Sequence, residues 1–511
     1  MQRAIPLHVA QRIPEQWRDT SKSLLIDSEE QLTRKEWMDD EFYNDYRANI
    51  DTTALTYAVM HALAADIVPE LSFKGLGAFN QVFCFEFPDG FRVAARIPKQ
   101  HARSASVEAI VAIMTMARCM RNIPAPQVYA WNPDANNPVG APYILVEWVE
   151  GLKSWEKWEN LPPKDLSMML SKLASHHVNF ARPLSLSGYG SLYFAKDLPE
   201  DNAEVDLANM STYRLGPMSR GPSCLAHRGI QNWPQTTPLS LRQFWNELWQ
   251  HEMDWIETAY GSEASTVIAT EKHPSPRIQE TYTLGQLIDA AGNLKVLINK
   301  CFLPSLSHLY EPCLVSTDYA FRNIKIDPQS LEVTAFTDWD NVYIMPFLLC
   351  SRYPDDICWT NGAGERWHRN GAFSFLPLDE QPGEDQSDSD SDDSSDEEKK
   401  FFGSTSDSGK ESDSEDDSES ARHSPPPTPP SVPEYNSEDY DRPRRIKGTL
   451  LRQQYEQMLV QYDPRFGTEG FWQIREDPLK IQHLVTHGWI EWLVKRRWLR
   501  QRAEQFTKFE G

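Results

Sequence analysis

Residues 70–98, ELSFKGLGAFNQVFCFEFPDGFRVAARIP, constrain the fold more than any other stretch of the chain. Aromatic and β-branched residues alternate through it, around two turn signals, Gly75-Leu76-Gly77 and Pro88-Asp89-Gly90. Alternation of period two sends successive side chains to opposite faces, so the segment reads as three short antiparallel strands joined by turns. The next stretch, SASVEAIVAIMTMARCMR, switches to helical spacing, with serine at its start and arginine at its end, as a helix dipole favours. APQVYAW and APYILVEWVEG then read as two more strands, the second apolar enough to be buried. Three strands, one helix and two strands make a small sheet lobe over residues 68–150.

The rest of the chain has a different texture. Residues 164–182, 240–260 and 284–310 carry helical periodicity, as do residues 35–67 upstream of the sheet. Residues 183–238, rich in Gly, Pro and Ser, give no regular assignment. LVSTD ends a short strand, and IKID and VTAFTD form a hairpin around Pro328. Residues 379–420 hold 18 Asp and Glu against three Lys, so this tract supplies most of the chain's net charge of −23. Together with the Ser/Pro-rich stretch after it, the tract has too little apolar surface to offset chain entropy, which predicts disorder over 379–445. Helical periodicity returns in TLLRQQYEQMLVQY and IQHLVTHGWIEWLVKRRWLRQRAEQF. The expected organisation is therefore an N-terminal extension and leading helix (1–67), the small lobe (68–150), a large lobe (151–378), the acidic insertion (379–445), and helices completing the large lobe (446–511). The fold class is α+β, with a small antiparallel β lobe and a larger, mainly helical one.

Composition narrows the function. With the acidic tract set aside, the charge is ordinary, and no basic stripe of the kind a nucleic-acid binder needs is evident. KRRWLRQR at 495–502 reads first as a surface helix whose long basic stems lie over packed tryptophans. No apolar run reaches the length of a membrane span. Seven scattered cysteines with no CxxC pair point to reduced thiols and an intracellular setting. The cytoplasm is the first expectation. The mitochondrion is the alternative, because MQRAIPLHVAQRIPEQWR is basic and lacks the apolar centre of a secretory signal. The Ser-Asp-Glu repeats at 387–420 are candidate phosphorylation targets or simply a solubilising segment.

The chemistry lies in CLVSTDYAFRNIKIDPQSLEVTAFTDWD, residues 313–340. Phosphoryl transfer needs a carboxylate to orient an acceptor hydroxyl, oxygen ligands for Mg2+ and a cation on the nucleotide phosphates. Asp318 and Asn323, in the spacing D-x-x-x-x-N, followed by a hairpin and Asp338, supply the first two sets. Asp318 would face the acceptor hydroxyl, and Asn323 and Asp338 would hold Mg2+ through hard oxygens. Taken alone, the same residues are ordinary turn formers. Upstream, Gly75 and Gly77 could close a turn over phosphates or simply close a hairpin. Arg96 on the third strand and Glu108 early in the following helix form a candidate cation–carboxylate pair at the phosphates, or two surface charges. The backbone around Glu147–Val149, leaving the buried strand, is where an adenine edge could bond.

Together these motifs resemble the aminoglycoside phosphotransferase-like family, within the protein-kinase-like fold. KGLGAFNQVFCFEFPDGFRVAARIPKQ, SGYGSLYF and TDWDNVYIMPFLLCSRYPDDI resemble more closely a fungal branch linked with mitochondrial inheritance. The resemblance spans residues 40–375 or so and implies an ATP- and Mg2+-dependent phosphotransferase acting on a small-molecule hydroxyl. Two departures support an alternative, a pseudokinase that binds nucleotide but performs little chemistry. Ser316-Thr317-Asp318 stands where the family has His-Gly-Asp, and Arg96 stands where protein kinases have Lys. A protein kinase proper would also carry Asp-Phe-Gly, where this chain has Asp338-Trp339-Asp340.

Overall fold

The computed structural model describes residues 50–76, 80–98, 106–198, 212–219, 237–269, 281–302, 304–358 and 437–508. Helix α1 (Thr52–Leu63) leads into strands β1 (Glu70–Leu76), β2 (Asn80–Glu86) and β3 (Arg92–Pro98). Helix α2 (Val107–Arg121) and strands β4 (Val128–Asn132) and β5 (Tyr143–Glu147) complete the small lobe. The five strands form one antiparallel sheet in the order β1-β2-β3-β5-β4, so the helix is inserted before the last two strands pair back onto the first three.

Register decides which residues face the rest of the molecule. Val82 lies opposite Arg96 and Phe83 opposite Ala95, and period two then sorts the sheet into two faces. Phe83, Phe85, Val93, Ala95, Ile97, Tyr143 and Leu145 bury against Leu55, Ala58 and Val59 of α1. Ala94, Ile144 and Val146 face the other way and join the core that α2 shares with the large lobe. Helix α1 is started by Asp51, whose carboxylate accepts from the Ala54 N–H at 2.9 Å, and is anchored by the Asp51 N–H donating to Val139 O. Gly75 sits at a bulge in β1 with φ +153°, backbone that a side chain would strain.

The chain crosses to the large lobe at β6 (Leu152–Lys153), which pairs with the site hairpin. Gly151 (φ +116°) makes the close approach feasible, because a Cβ there would lie 2.7 Å from Ile326 O. Helix α3 (Pro163–Ala181) follows, then the hairpin β7 (Ser191–Phe194) and β8 (Tyr213–Gly216), and helix α4 (Leu241–Tyr260). The short pair β9 (Val267–Ala269) and β10 (Thr281–Thr283) precedes α5 (Leu284–Lys300), which a Thr283–Gln286 capping box begins. Strand β11 (Pro312–Ser316) pairs with β14 (Val342–Pro346), and β12 (Ile324–Ile326) with β13 (Val333–Phe336). A short helix, α6 (Phe347–Cys350), follows β14.

Residues 359–436, which include most of the acidic tract, lie outside the described residues. Helix α7 (Ser437–Tyr462) begins inside the segment that composition assigns to the insertion, and α8 (Phe471–Ile474), α9 (Glu476–His487), α10 (Trp489–Val494) and α11 (Arg496–Lys508) end the description. These helices are part of the large-lobe core. Trp245 of α4 donates to Gln482 at 2.7 Å, and Glu252 accepts from the Trp489 N–H at 2.8 Å. The basic stretch 495–502 lies largely on α11, with Arg502 bonded to Asp477 and Arg496 over the Tyr282 ring. The fold is the two-lobed α+β arrangement expected from the sequence. The reading of 183–238 as irregular needs correction at β7–β8, whose four-residue strands are too short to show a period.

Candidate active site

The D-x-x-x-x-N loop leaves β11, makes one tight turn and re-enters β12, and this returns Asn323 to the start of its own loop. The Asn323 side chain donates to the backbone O of Asp318 at 3.0 Å and to its carboxylate at 2.9 Å. The loop is also tied to the next strand connection. The Thr337 N–H and hydroxyl both donate to Asn323 O, at 2.9 and 3.1 Å. Asp338 therefore follows directly from the residue that clamps Asn323. Asp318, Asn323 and Asp338 line one small crevice, with Ser316, Phe180 and Trp339 among its walls. The Asp318 carboxylate is paired with Arg322, whose guanidinium also reaches Asp355 at 3.8 Å.

Carboxylates crowd the far side of this crevice. Burial and then the neighbouring Asp340 push the Asp338 carboxyl up to about 6, with Asp318 adding to the effect against the opposing pull of Arg96. Asp340 is 1 % exposed, and its Oδ1 has no partner. Asn323 spends its amide N–H groups on Asp318, and no bond to its amide oxygen is recorded among the described residues. Two massed carboxylates, one with a bare buried oxygen, and an amide oxygen are the donor chemistry a hard divalent cation takes. Among the described residues no group of three or more His, Cys, Asp or Glu is placed to hold a metal ion.

The nucleotide-side residues fall out differently. Arg96 pairs with Asp340, and Asn80 donates to the same Asp340 Oδ2 at 3.0 Å. The pairing of Arg96 with Glu108 read from the sequence is corrected by this geometry. Glu108, in the first turn of α2, accepts instead from the Ser106 hydroxyl at 2.5 Å. A strand cation followed by a helix carboxylate points to Glu108; the carboxylate that pairs with Arg96 is instead far away in sequence and buried beside it. Gly75 lies at the β1 bulge, while Gly77 is outside the described residues. At the lobe crossing, the Glu147 N–H donates to Gln127 O at 2.8 Å, and the Glu147 carboxylate holds Arg118 and the Gln127 N–H. Val149 O accepts from Lys325 at 2.7 Å, so that carbonyl is already engaged.

No local sequence pattern marks what props the loop beside Ser316. The Thr317 N–H and hydroxyl donate to Asn341 O at 2.8 and 3.2 Å, joining the loop to the Asp338 connection. Beneath Asp318, the Tyr319 hydroxyl meets the Tyr455 hydroxyl at 3.1 Å, and Tyr455 meets His177 Nδ1 at 2.9 Å. His177 Nε2 in turn meets Cys350 O at 2.6 Å. All three side chains are buried, so helix α7, late in the chain, supports the Asp318 loop from below.

No family model matches the chain. It is 26 % identical over 318 residues to a subtelomeric hrmA-associated cluster protein of Aspergillus fumigatus, covering 57 % of this chain and 60 % of that one. It is 26 % identical over 280 residues to altered inheritance of mitochondria protein 9, mitochondrial, of Lachancea thermotolerans, covering 50 % of this chain and 45 % of the relative. The chain thus spans about half the length of the curated relatives it matches. Among solved structures it is similar to an ADP-bound aminoglycoside phosphotransferase, APH(2'')-Ib, at 10 % identity and a TM-score of 0.34, covering 58 % of this chain and 74 % of that one. It is also similar to a Plasmodium vivax ethanolamine kinase at 13 % identity and a TM-score of 0.34, covering 61 % and 69 %. Among the described residues no helix is long and apolar enough to cross a membrane.

Proposed function

We propose that this protein is a phosphotransferase that moves the γ-phosphate of Mg2+-bound ATP to a hydroxyl of a small molecule. The observation that carries the reading is the convergence of Asp318, Asn323 and Asp338 on one crevice between β11 and the β13–β14 connection. Asp318 orients the acceptor hydroxyl and takes up its proton. Asn323 and Asp338 hold the metal, which when bound neutralises charge on the transferring group. Arg96 faces the phosphates from β3. The named mitochondrial relatives make the mitochondrion a candidate compartment beside the cytoplasm.

One observation favours a second reading, a nucleotide-binding module with little turnover. Arg322 occupies the carboxylate of Asp318 that an acceptor would need, and Ser316 replaces the family histidine. Thermal unfolding of the full chain with ATP, with and without Mg2+, tests the common premise. A ligand that binds only the folded state raises the melting point by mass action. A Mg2+-dependent rise is the expected result; no shift at millimolar Mg·ATP sinks both readings. Phosphate release from ATP by the same protein then separates enzyme from binding module.

A further inference from the structure

We propose that Asp340 is the residue that positions Arg96 toward the nucleotide phosphates, the role that chain order gives to Glu108. The inference deepens the phosphotransferase reading and rests on it for the identity of the ligand.

Three observations converge. Arg96 and Asn80 lie on the same face of the small-lobe sheet, since Val82 is opposite Arg96 and Asn80 is two residues from Val82. Both side chains reach one oxygen, Asp340 Oδ2, on the connection that also carries Asp338. Side-chain exposure is 13 % for Arg96 and 1 % for Asp340, so water screens this pair little. A buried guanidinium–carboxylate contact fixes the direction of a long, otherwise mobile side chain. Glu108 meanwhile is held by Ser106 at the start of its own helix. The bond from β3 to the Asp338–Asp340 turn crosses from one lobe to the other. It makes the placement of the phosphate-facing cation depend on the same turn that places the metal-side carboxylate. A helix carboxylate would tie the cation only to its own lobe.

Two double-substitution cycles on the full chain test the inference. The first is read by thermal unfolding without ligand. Arg96→Ala and Asp340→Asn should be strongly non-additive, whereas Arg96→Ala and Glu108→Gln should add. The second is read by calorimetric titration with Mg·ATP. Asp340→Asn should weaken binding about tenfold, the scale of one charge-assisted hydrogen bond. In the Arg96→Ala background the same change should cost nothing further, which a merely structural effect of Asp340 would not reproduce. Should Asp340→Asn fold poorly, Asn80→Ala removes one donor from the same carboxylate. It should give a smaller loss that also vanishes without Arg96. The proposal is overturned if Asp340→Asn costs the same with and without Arg96, if it tightens binding, or if Arg96 couples to Glu108 instead. Failure of the parent protein to bind Mg·ATP overturns the phosphotransferase reading and this positioning role with it. The ligand-free cycle still reports separately whether Arg96 and Asp340 are coupled.

Discussion

The two sides of the crevice hold their carboxylates in opposite ways. Asp318 stands on a loop near the surface, with a quarter of its side chain exposed and an exposed arginine paired to it. Asp338 and Asp340 stand deeper, side by side, with more negative charge than the surrounding cations balance. An exposed carboxylate with a mobile partner can exchange that partner for a substrate hydroxyl at little cost. A buried carboxylate pair is costly until a cation arrives. The proposed function puts the acceptor on the first side and the metal on the second, and each substitution below strains the contrast at a different point.

The largest effect is expected at Asp318. Asp318→Asn should leave Mg·ATP affinity nearly intact while slowing phosphoryl transfer, or background ATP hydrolysis, by about 10²–10⁴. Steady-state phosphate release and calorimetry on the same preparation check this. Equal hydrolysis by parent and variant would transfer weight to the binding-module reading. A parallel loss of nucleotide affinity would mean that Asp318 belongs to the metal side after all.

Asp338→Asn should show the reverse fingerprint, with a stability gain as its signature. Folding raises the Asp338 carboxyl from the ordinary carboxylate range to about 6. The native state therefore binds the extra proton between roughly pH 4 and 6, so ionisation above that window works against folding. Stability contributed by this group is lost as pH rises through 6 and is fully present below the unfolded value. At neutral pH the ionised form costs on the order of 2–3 kcal/mol. Removing the charge should raise the melting point of the ligand-free protein by a few degrees at pH 7.5, and hardly at all at pH 4. It should also abolish the Mg2+-dependent part of nucleotide binding. A melting point that falls at pH 7.5 would show that Asp338 is already compensated, and the carboxylate-excess argument would fail.

How much of this was legible in the sequence follows from distance along the chain. The strands β1–β3 announce themselves by alternation, and the Asp318–Asn323 contact by a four-residue gap that one tight turn can close. Arg96 was visible as a strand cation, but its partner lies 244 residues away, where no periodicity points. Glu108 fits the pattern of a strand cation followed by a helix carboxylate, and that pattern cannot see a partner so distant in the chain. The Tyr319–Tyr455 contact spans 136 residues and passes over the acidic tract, so nothing local in either segment marks it. Strands β7 and β8 are four residues each and sit among Gly, Pro and aromatic residues, below the length at which a period can be read.

Tyr455→Phe reaches the loop from beneath and should have a smaller effect than either aspartate. It removes one hydroxyl that serves both Tyr319 and His177, and leaves those buried groups short of a partner. Each such loss costs about 1–3 kcal/mol, so chemical denaturation should show an unfolding free energy lowered by about that much. If the network also sets the loop, turnover should fall beyond what the population of folded protein explains, with Mg·ATP affinity unchanged. An effect confined to stability would restrict His177 and Tyr455 to the core.

The smallest effect is expected at Arg322, and it bears most directly on the contrast. Its side chain is 53 % exposed, and it pairs with Asp318 four residues away and, more loosely, with Asp355. Ion pairs in that setting contribute about 0–1 kcal/mol after solvent screening and side-chain entropy. Arg322→Ala should therefore move the melting point by about a degree or less. Its influence on turnover has a sign that separates two roles for the arginine. If Arg322 merely occupies Asp318 until an acceptor displaces it, its removal should leave hydrolysis unchanged or raise it, and make the rate less sensitive to salt. If Arg322 instead stabilises charge on the transferring group, hydrolysis should fall while Mg·ATP affinity holds. A large loss of stability would contradict both, because it would place Asp318 in a structural ion pair and return the acceptor side of the crevice to the category of a polar loop.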